Sequence, residues 1–242
     1  RLIVTSLDRL ARAVRRLVLL VGGALVHARH GRCVEVLALR PQVCADGTIW
    51  IGTPDGLNRF KDGKFQTFTF AEGLSNDLVR SVLVDRNGVL WVGTRDGLNS
   101  FRDNVFTTYT TRDGLANNII GAIFETKGNL WVGTLGGLNK IHDGAFQTFT
   151  TKDGLSSNTV ISLYEDDYND LWIGTNGGGL NRFHDGKFVS FTGAADVIYR
   201  ILEDQQRNLW CSSNKGVFRI NKRELDKGIV NPTFYGPADG ML

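Results

Sequence analysis

Side chains able to grip a polar ligand recur as neighbours at three places: Asn76 with Asp77, Asn117 with Asn118, and Ser157 with Asn158. Amides donate and accept hydrogen bonds at once, which suits hydroxyl-bearing molecules such as carbohydrates. A second set of positions, each eleven residues before a tryptophan, changes from place to place: Arg80, Ile161 and Tyr199, with Arg200 beside the last. The columns around it stay apolar or small. Variation of that kind is what a surface meeting different parts of one ligand requires, and also what unselected positions show; turn chemistry explains an Asn at a strand entry equally well. The expected ligand-contacting set is therefore Asn76, Asp77, Arg80, Asn117, Asn118, Asn158, Tyr199 and Arg200.

Other chemistries find less support. Glu165, Asp166, Asp167 and Asp170 form the densest acidic group and read as a solvated turn rather than a metal site. The loops Asp55-Gly56-Leu57-Asn58, Asp96-Gly97-Leu98-Asn99, Gly136-Gly137-Leu138-Asn139 and Gly178-Gly179-Leu180-Asn181 carry too few acids for a calcium loop, which needs alternating oxygen ligands and a closing Glu. They read as hairpin turns in which glycine takes positive φ and leucine returns to the core. His142 and His184 stand where an earlier copy has Lys61, as exposed turn residues. Phosphate-binding glycine loops, nucleophile elbows and His-Glu-x-x-His are absent from the sequence. No constellation of base, nucleophile and orienting group remains, so neither catalysis nor a cofactor is expected.

The elements that position these residues follow from the tryptophans. Trp50, Trp91, Trp131, Trp172 and Trp210 are separated by 41, 40, 41 and 38 residues and are the only five in the chain. Such spacing means one supersecondary unit copied along the sequence. In the copy around Trp91, residues 78–85 are a β-branched run, 86–88 a turn, 89–94 an alternating strand, 98–101 a third strand and 105–110 a fourth. Four short antiparallel strands per unit of about 40 residues predict a β-propeller, each unit a blade, with about five blades present as a fragment of a larger ring. The inner strand is apolar on both faces (Val79, Val82, Leu83; Ile120, Ile123, Phe124), as expected of a sheet covered on both sides. A column nine or ten residues before each tryptophan is small, Ser81, Ala122 and Ser162, until it becomes Arg200; small residues there would let adjacent sheets approach.

The formal charge of +3 conceals two unlike pieces. Residues 1–44 hold eight Arg against one Asp and one Glu, and the remaining 198 residues carry 20 basic and 23 acidic side chains. The mildly acidic repeats argue against nucleic acid as a partner. Residues 1–44 lie outside the repeat and leave three readings open: signal-peptide-like, an amphipathic helix, or a stretch read out of frame. The apolar run 17–26 is too short to span a membrane. Residues 45–242 form the repeat array, in which 221–232 is a charged insertion with room for a helical turn and 234–242 resembles the opening of a sixth blade. A Cys33–Cys44 disulfide is compatible with an oxidising compartment, and Cys211 reads as a small buried apolar residue.

The repeated W-[IV]-G-T-x-x-G-L-N-[RKS]-[FI], with x-D-G-L connectors, resembles the two-component regulator propeller repeat over residues 45–242, and 197–226 looks like a final blade of such arrays, with Ser212-Ser213-Asn214 at the Gly-Thr position. The resemblance implies a periplasmic, non-catalytic sensor region of a bacterial membrane-bound receptor, joined elsewhere to a histidine kinase or diguanylate cyclase domain. It implies a small-molecule or carbohydrate ligand, other blades or domains of the parent receptor as partners, room for a homodimer, and membrane contact only through parts outside this chain. Two rival classes stay open: a propeller lyase or glycosidase acting on polysaccharide, and a protein-interaction scaffold.

Overall fold

The computed structural model describes residues 27–29, 32–34, 41–44, 46–236 and 239. The expectations for residues 1–26 and for Cys33 as a disulfide partner lie outside the described residues or their side chains; Cys44 carries a free thiol. The chain divides into two compact units, residues 1–110 and 111–242.

In the first unit, β1 (His27–Arg29) pairs with β2 (Arg32–Val34). A first four-stranded sheet follows in chain order: β3 (Gln42–Val43), β4 (Ile49–Thr53), β5 (Gly56–Lys61) and β6 (Lys64–Phe68). The second is β7 (Ser81–Val84), β8 (Leu90–Gly93), β9 (Leu98–Arg102) and β10 (Val105–Tyr109). The second unit holds a third sheet, β11 (Ile120–Thr126), β12 (Asn129–Thr134), β13 (Leu138–His142) and β14 (Ala145–Phe149), and a fourth, β15 (Val160–Glu165), β16 (Leu171–Thr175), β17 (Leu180–His184) and β18 (Lys187–Phe191). Its fifth sheet is β19 (Ile198–Glu203), β20 (Asn208–Ser213), β21 (Gly216–Asn221) and β22 (Thr233–Tyr235), with the helical turn α1 (Lys222–Leu225) inside the charged insertion. Every sheet is an antiparallel meander, and each tryptophan sits in a second strand opposite the third: Trp50 faces Arg59, Trp91 Ser100, Trp131 Lys140, Trp172 Arg182 and Trp210 Arg219. Phe234 and Tyr235, expected at the opening of a sixth blade, instead form part of the fourth strand of the fifth sheet.

Local sequence sets these registers. The hairpin between third and fourth strands has both central residues at positive φ, Asp62-Gly63 (49° and 76°), Asp143-Gly144 (47° and 77°) and Asp185-Gly186 (45° and 81°), which is the two-residue turn whose twist matches the strands. Between first and second strands an aspartate closes the turn and also accepts the indole N–H: Asp85 from Trp91 at 2.9 Å, Asp166 from Trp172 at 2.9 Å and Asp204 from Trp210 at 2.8 Å. A buried indole thereby keeps a partner for its one donor.

Packing between successive sheets uses the small column. Ser162 is buried and its hydroxyl donates to Ile198 O at 2.9 Å, while a Cβ on Gly174 would stand 2.6 Å from that same carbonyl, so the fourth sheet has no space there for anything larger. Aromatic pairs also join successive sheets. Trp50 meets Phe101 at 5.6 Å in the first unit, and Trp131 meets Phe183 at 5.3 Å in the second, both edge to face. Leu57, Leu98, Leu138 and Leu180 of the Gly-Leu-Asn motif are fully or almost fully buried, each contributing about 1.5–3 kcal/mol.

The acidic run 165–170 corrects an expectation. Asp166 is no solvated turn residue: its side chain is fully buried, Lys222 Nζ from α1 lies 2.5 Å away, and Glu203 Oε1 takes the same ammonium at 2.8 Å. Burial alone would raise the Asp166 carboxyl, but hydrogen bonds from Lys222 and Trp172 bring it below the usual carboxylate range. Burial and the neighbouring Glu203 carboxylate push the Tyr164 phenol up to about 12. Cys211 is fully buried, in keeping with its apolar reading.

Candidate functional site

The connectors that enter each inner strand are built by one device. In the second sheet the fully buried Asn99 accepts from Ser75 N at 3.0 Å and donates to Ser75 Oγ at 2.8 Å. Asn139 accepts from Ala116 N at 2.8 Å and Asn181 from Ser156 N at 3.0 Å. The Asn of the Gly-Leu-Asn motif is therefore the peg on which the preceding connector hangs. Within the connector a second clamp closes the loop: Phe70 N donates to Asp77 Oδ1 at 2.7 Å, Thr111 N to Asn118 Oδ1 at 2.8 Å, and Thr151 N to Asn158 Oδ1 at 2.8 Å. Asn76 and Asn117 accept from the backbone two residues on, Leu78 N at 2.8 Å and Ile119 N at 2.9 Å.

Of the eight expected ligand contacts, five thus have one side-chain oxygen committed to holding their loop: Asn76, Asp77, Asn117, Asn118 and Asn158. Arg80, Tyr199 and Arg200 stand at the starts of inner strands. The pairing shifts by one residue between Ile120 and Ala122, Val160 and Ser162, and Ile198 and Arg200, so Gly121, Ile161 and Tyr199 are bulged residues. A bulge re-aims its side chain, and Tyr199 is 55% exposed. Arg80 and Arg200 each keep a buried Nε without a hydrogen-bond partner. Burial, then repulsion from Arg95, lowers the Arg80 pKa.

The structure brings Asn76 and Asp77 together in an open cavity of about 510 Å³ in the first unit, walled also by Pro54, Phe70, Leu78 and Asp96. Asn76 Nδ2 donates to Asp96 Oδ2 at 2.7 Å, and Asp96 N donates to Thr94 Oγ1 at 3.1 Å, which fixes the turn that carries the carboxylate. Phe70 stands at the rim, 71% exposed. Sequence reasoning found Asn76 and Asp77 but missed Phe70 and Asp96. For Phe70 the signal was available, because this copy departs there from Thr111 and Thr151; Asp96 matches Asp55 of the first copy and differs only from Gly136 and Gly178. Among the described residues no group of three His, Cys, Asp or Glu is arranged to hold a metal ion.

Repeating four-stranded antiparallel meanders, each with one tryptophan on its second strand, define an all-β protein of the propeller class. Residues 73–96, 113–136 and 154–177 match the family described as two component regulator propeller. Each matched segment runs from a connector to the turn after the second strand, and the first contains Asn76, Asp77 and Asp96. The chain resembles the extracellular domains of two B. thetaiotaomicron proteins described as hybrid two component systems. One shows 24% identity and a TM-score of 0.68 over 83% of this chain and 28% of that one. The other shows 21% identity and a TM-score of 0.67 over 81% and 31%. Virginiamycin B lyase from Staphylococcus aureus has the same fold, with 15% identity and a TM-score of 0.65 over 82% of this chain and 70% of the lyase. This chain spans about three tenths of the length of the two extracellular domains. No curated protein matches it in sequence. Among the described residues no helix is long and apolar enough to cross a membrane.

Proposed function

We propose that the chain is the ligand-sensing, non-catalytic part of a bacterial membrane-bound signalling receptor, held on the extracytoplasmic side. The observation that carries this reading is the run of family repeats, supported by the likeness to extracellular receptor domains. The ligand class we favour is a small polar molecule such as a carbohydrate, taken by connector side chains that a rigid sheet presents at its end. Asn118 and Asn158 each spend only their Oδ1 on the loop, which leaves Nδ2 as a donor for hydroxyl groups. Output domains of the parent receptor, and a second receptor copy, are the natural partners in such an arrangement.

The lyase relative supports a second reading, a propeller enzyme. It is the weaker one, because the described connectors offer amides and single carboxylates where hydrolysis or elimination needs a base and an acid set close together. The test is a receptor carrying this chain, assayed for ligand-dependent output with a panel of oligosaccharides. Sensing predicts output that one panel member raises and that Asn118→Ala with Asn158→Ala lowers, with no turnover of the sugar by the purified chain. Sugar cleavage by the chain, or output indifferent to every member, overturns the reading.

A further inference from the structure

The repeats act as internal controls on one another, and they single out the cavity in the first unit. The connector clamp needs only an acceptor: Asn118 and Asn158 provide it at 2.8 Å, and Asp77 does the same work at 2.7 Å. A carboxylate is not required there, and its second oxygen is left over. Asp96 stands where the first copy also has an aspartate, Asp55, and two others have Gly136 and Gly178, and it too keeps one oxygen beyond the bond from Asn76. Phe70 replaces Thr111 and Thr151 and is mostly exposed. Two departures from the repeat, Phe70 and Asp77, therefore meet the Asp96 carboxylate around one cavity. The lining holds no Lys, Arg or His, and among the described residues neither carboxylate forms an ion pair.

We propose that this cavity binds an organic cation, a primary ammonium group carried on a flat apolar body. Two carboxylates without a counter-ion supply charge-assisted acceptors for the ammonium hydrogens, and an exposed phenyl ring at the rim supplies a face for the cation or a stacking surface for the body. The cavity volume of about 510 Å³ fits a ligand of that size. The proposal rests on the sensing function in one respect only, that the occupant is a signal; the site itself stands on its own geometry.

The full 242-residue chain is titrated calorimetrically with 2-phenylethylammonium and with its neutral analogue 2-phenylethanol. We expect the ammonium to bind at least about tenfold more tightly than the alcohol, and the difference to shrink as salt is added. Asp77→Asn and Asp96→Gly install residues that other repeats already carry, so the fold is kept; each is expected to weaken ammonium binding about tenfold and to leave the alcohol unchanged. Phe70→Thr weakens both probes. Equal affinity for ammonium and alcohol, or ammonium binding untouched in the Asp77→Asn, Asp96→Gly double variant, overturns the proposal. The unmodified chain compared with both probes decides the matter even if a variant fails to fold. Ammonium binding by a receptor whose output answers neither the ammonium nor any sugar would sink the sensing function and leave the site standing; output driven by sugars with no ammonium binding would do the reverse.

Discussion

The fourth and fifth sheets solve one problem in opposite ways. Entering the fourth, the connector hangs on Asn181, a fully buried amide that satisfies the backbone of Ser156. Entering the fifth, the chain runs through Ala194 and Ala195, and the place of the Asn is taken by Phe218; all three are buried in one apolar cluster with Phe191 and Leu209. The fifth sheet then adds a clasp of its own, Lys222 from α1 reaching Asp166 and Glu203. Connector and peg change together, polar with polar and apolar with apolar. What the repeat preserves is the docking of the connector, and the chemistry used for it is free to vary as long as both sides agree.

Lys222→Met tests this contrast most severely. It strands two carboxylates in the interior, and a loss of about 3–5 kcal/mol is expected in urea unfolding of the full chain; a loss below 1 kcal/mol would mean that the clasp is only an accessory. Next comes Phe218→Ala, which opens a cavity under Ala194 and Ala195 at a cost of about 3–5 kcal/mol, the upper end applying if the connector cannot collapse. Asn181→Ala leaves Ser156 N without its acceptor, costing about 1–3 kcal/mol. If Asn181→Ala proves the more damaging of these two, the apolar peg is the weaker one and the ranking of the two sheets reverses.

The smallest effect is a pH dependence. Hydrogen bonds from the Asn208 side chain and backbone, joined by the Trp210 indole, hold the Asp204 carboxyl down to about 2. Its folded pKa lies below the unfolded value of about 3.9, so its stabilisation is complete above about pH 5 and is lost as pH falls from about 4 towards 2. The third sheet has Thr126 in the place of that aspartate and contributes nothing to this titration. Asp204→Asn should flatten the fall of the urea midpoint in that window; an unchanged slope would assign the acid sensitivity to other carboxylates.

Much of this architecture was legible because each strand is flanked by its own punctuation. The tryptophan, the Gly-Leu-Asn turn and the Asp-Gly hairpin recur at fixed offsets, and strand limits such as 105–110 against Val105–Tyr109 follow from them. The role of the motif Asn was not legible, since its partner lies 23 to 25 residues earlier on a connector whose backbone N–H carries no sequence signal. Asp166 was misread for a similar reason. A run of acids next to a turn is ordinarily wet, and only Lys222, 56 residues further on in an irregular insertion, turns it into a buried pair. Phe70 and Asp96 sit on separate loops, and what joins them is the cavity they share with Asn76 and Asp77.

The single tryptophan on the second strand of every sheet makes the chain self-reporting. Trp172 is fully shielded while Trp210 is partly open to solvent, and Arg59, Lys140, Arg182 and Arg219 stand within 6 Å of the rings of Trp50, Trp131, Trp172 and Trp210. Emission from Trp172 should therefore lie to the blue of Trp210. Replacing four indoles by phenylalanine in turn would leave one lamp per blade, so that the order in which the sheets let in water, or feel a ligand, can be watched as five separate spectra.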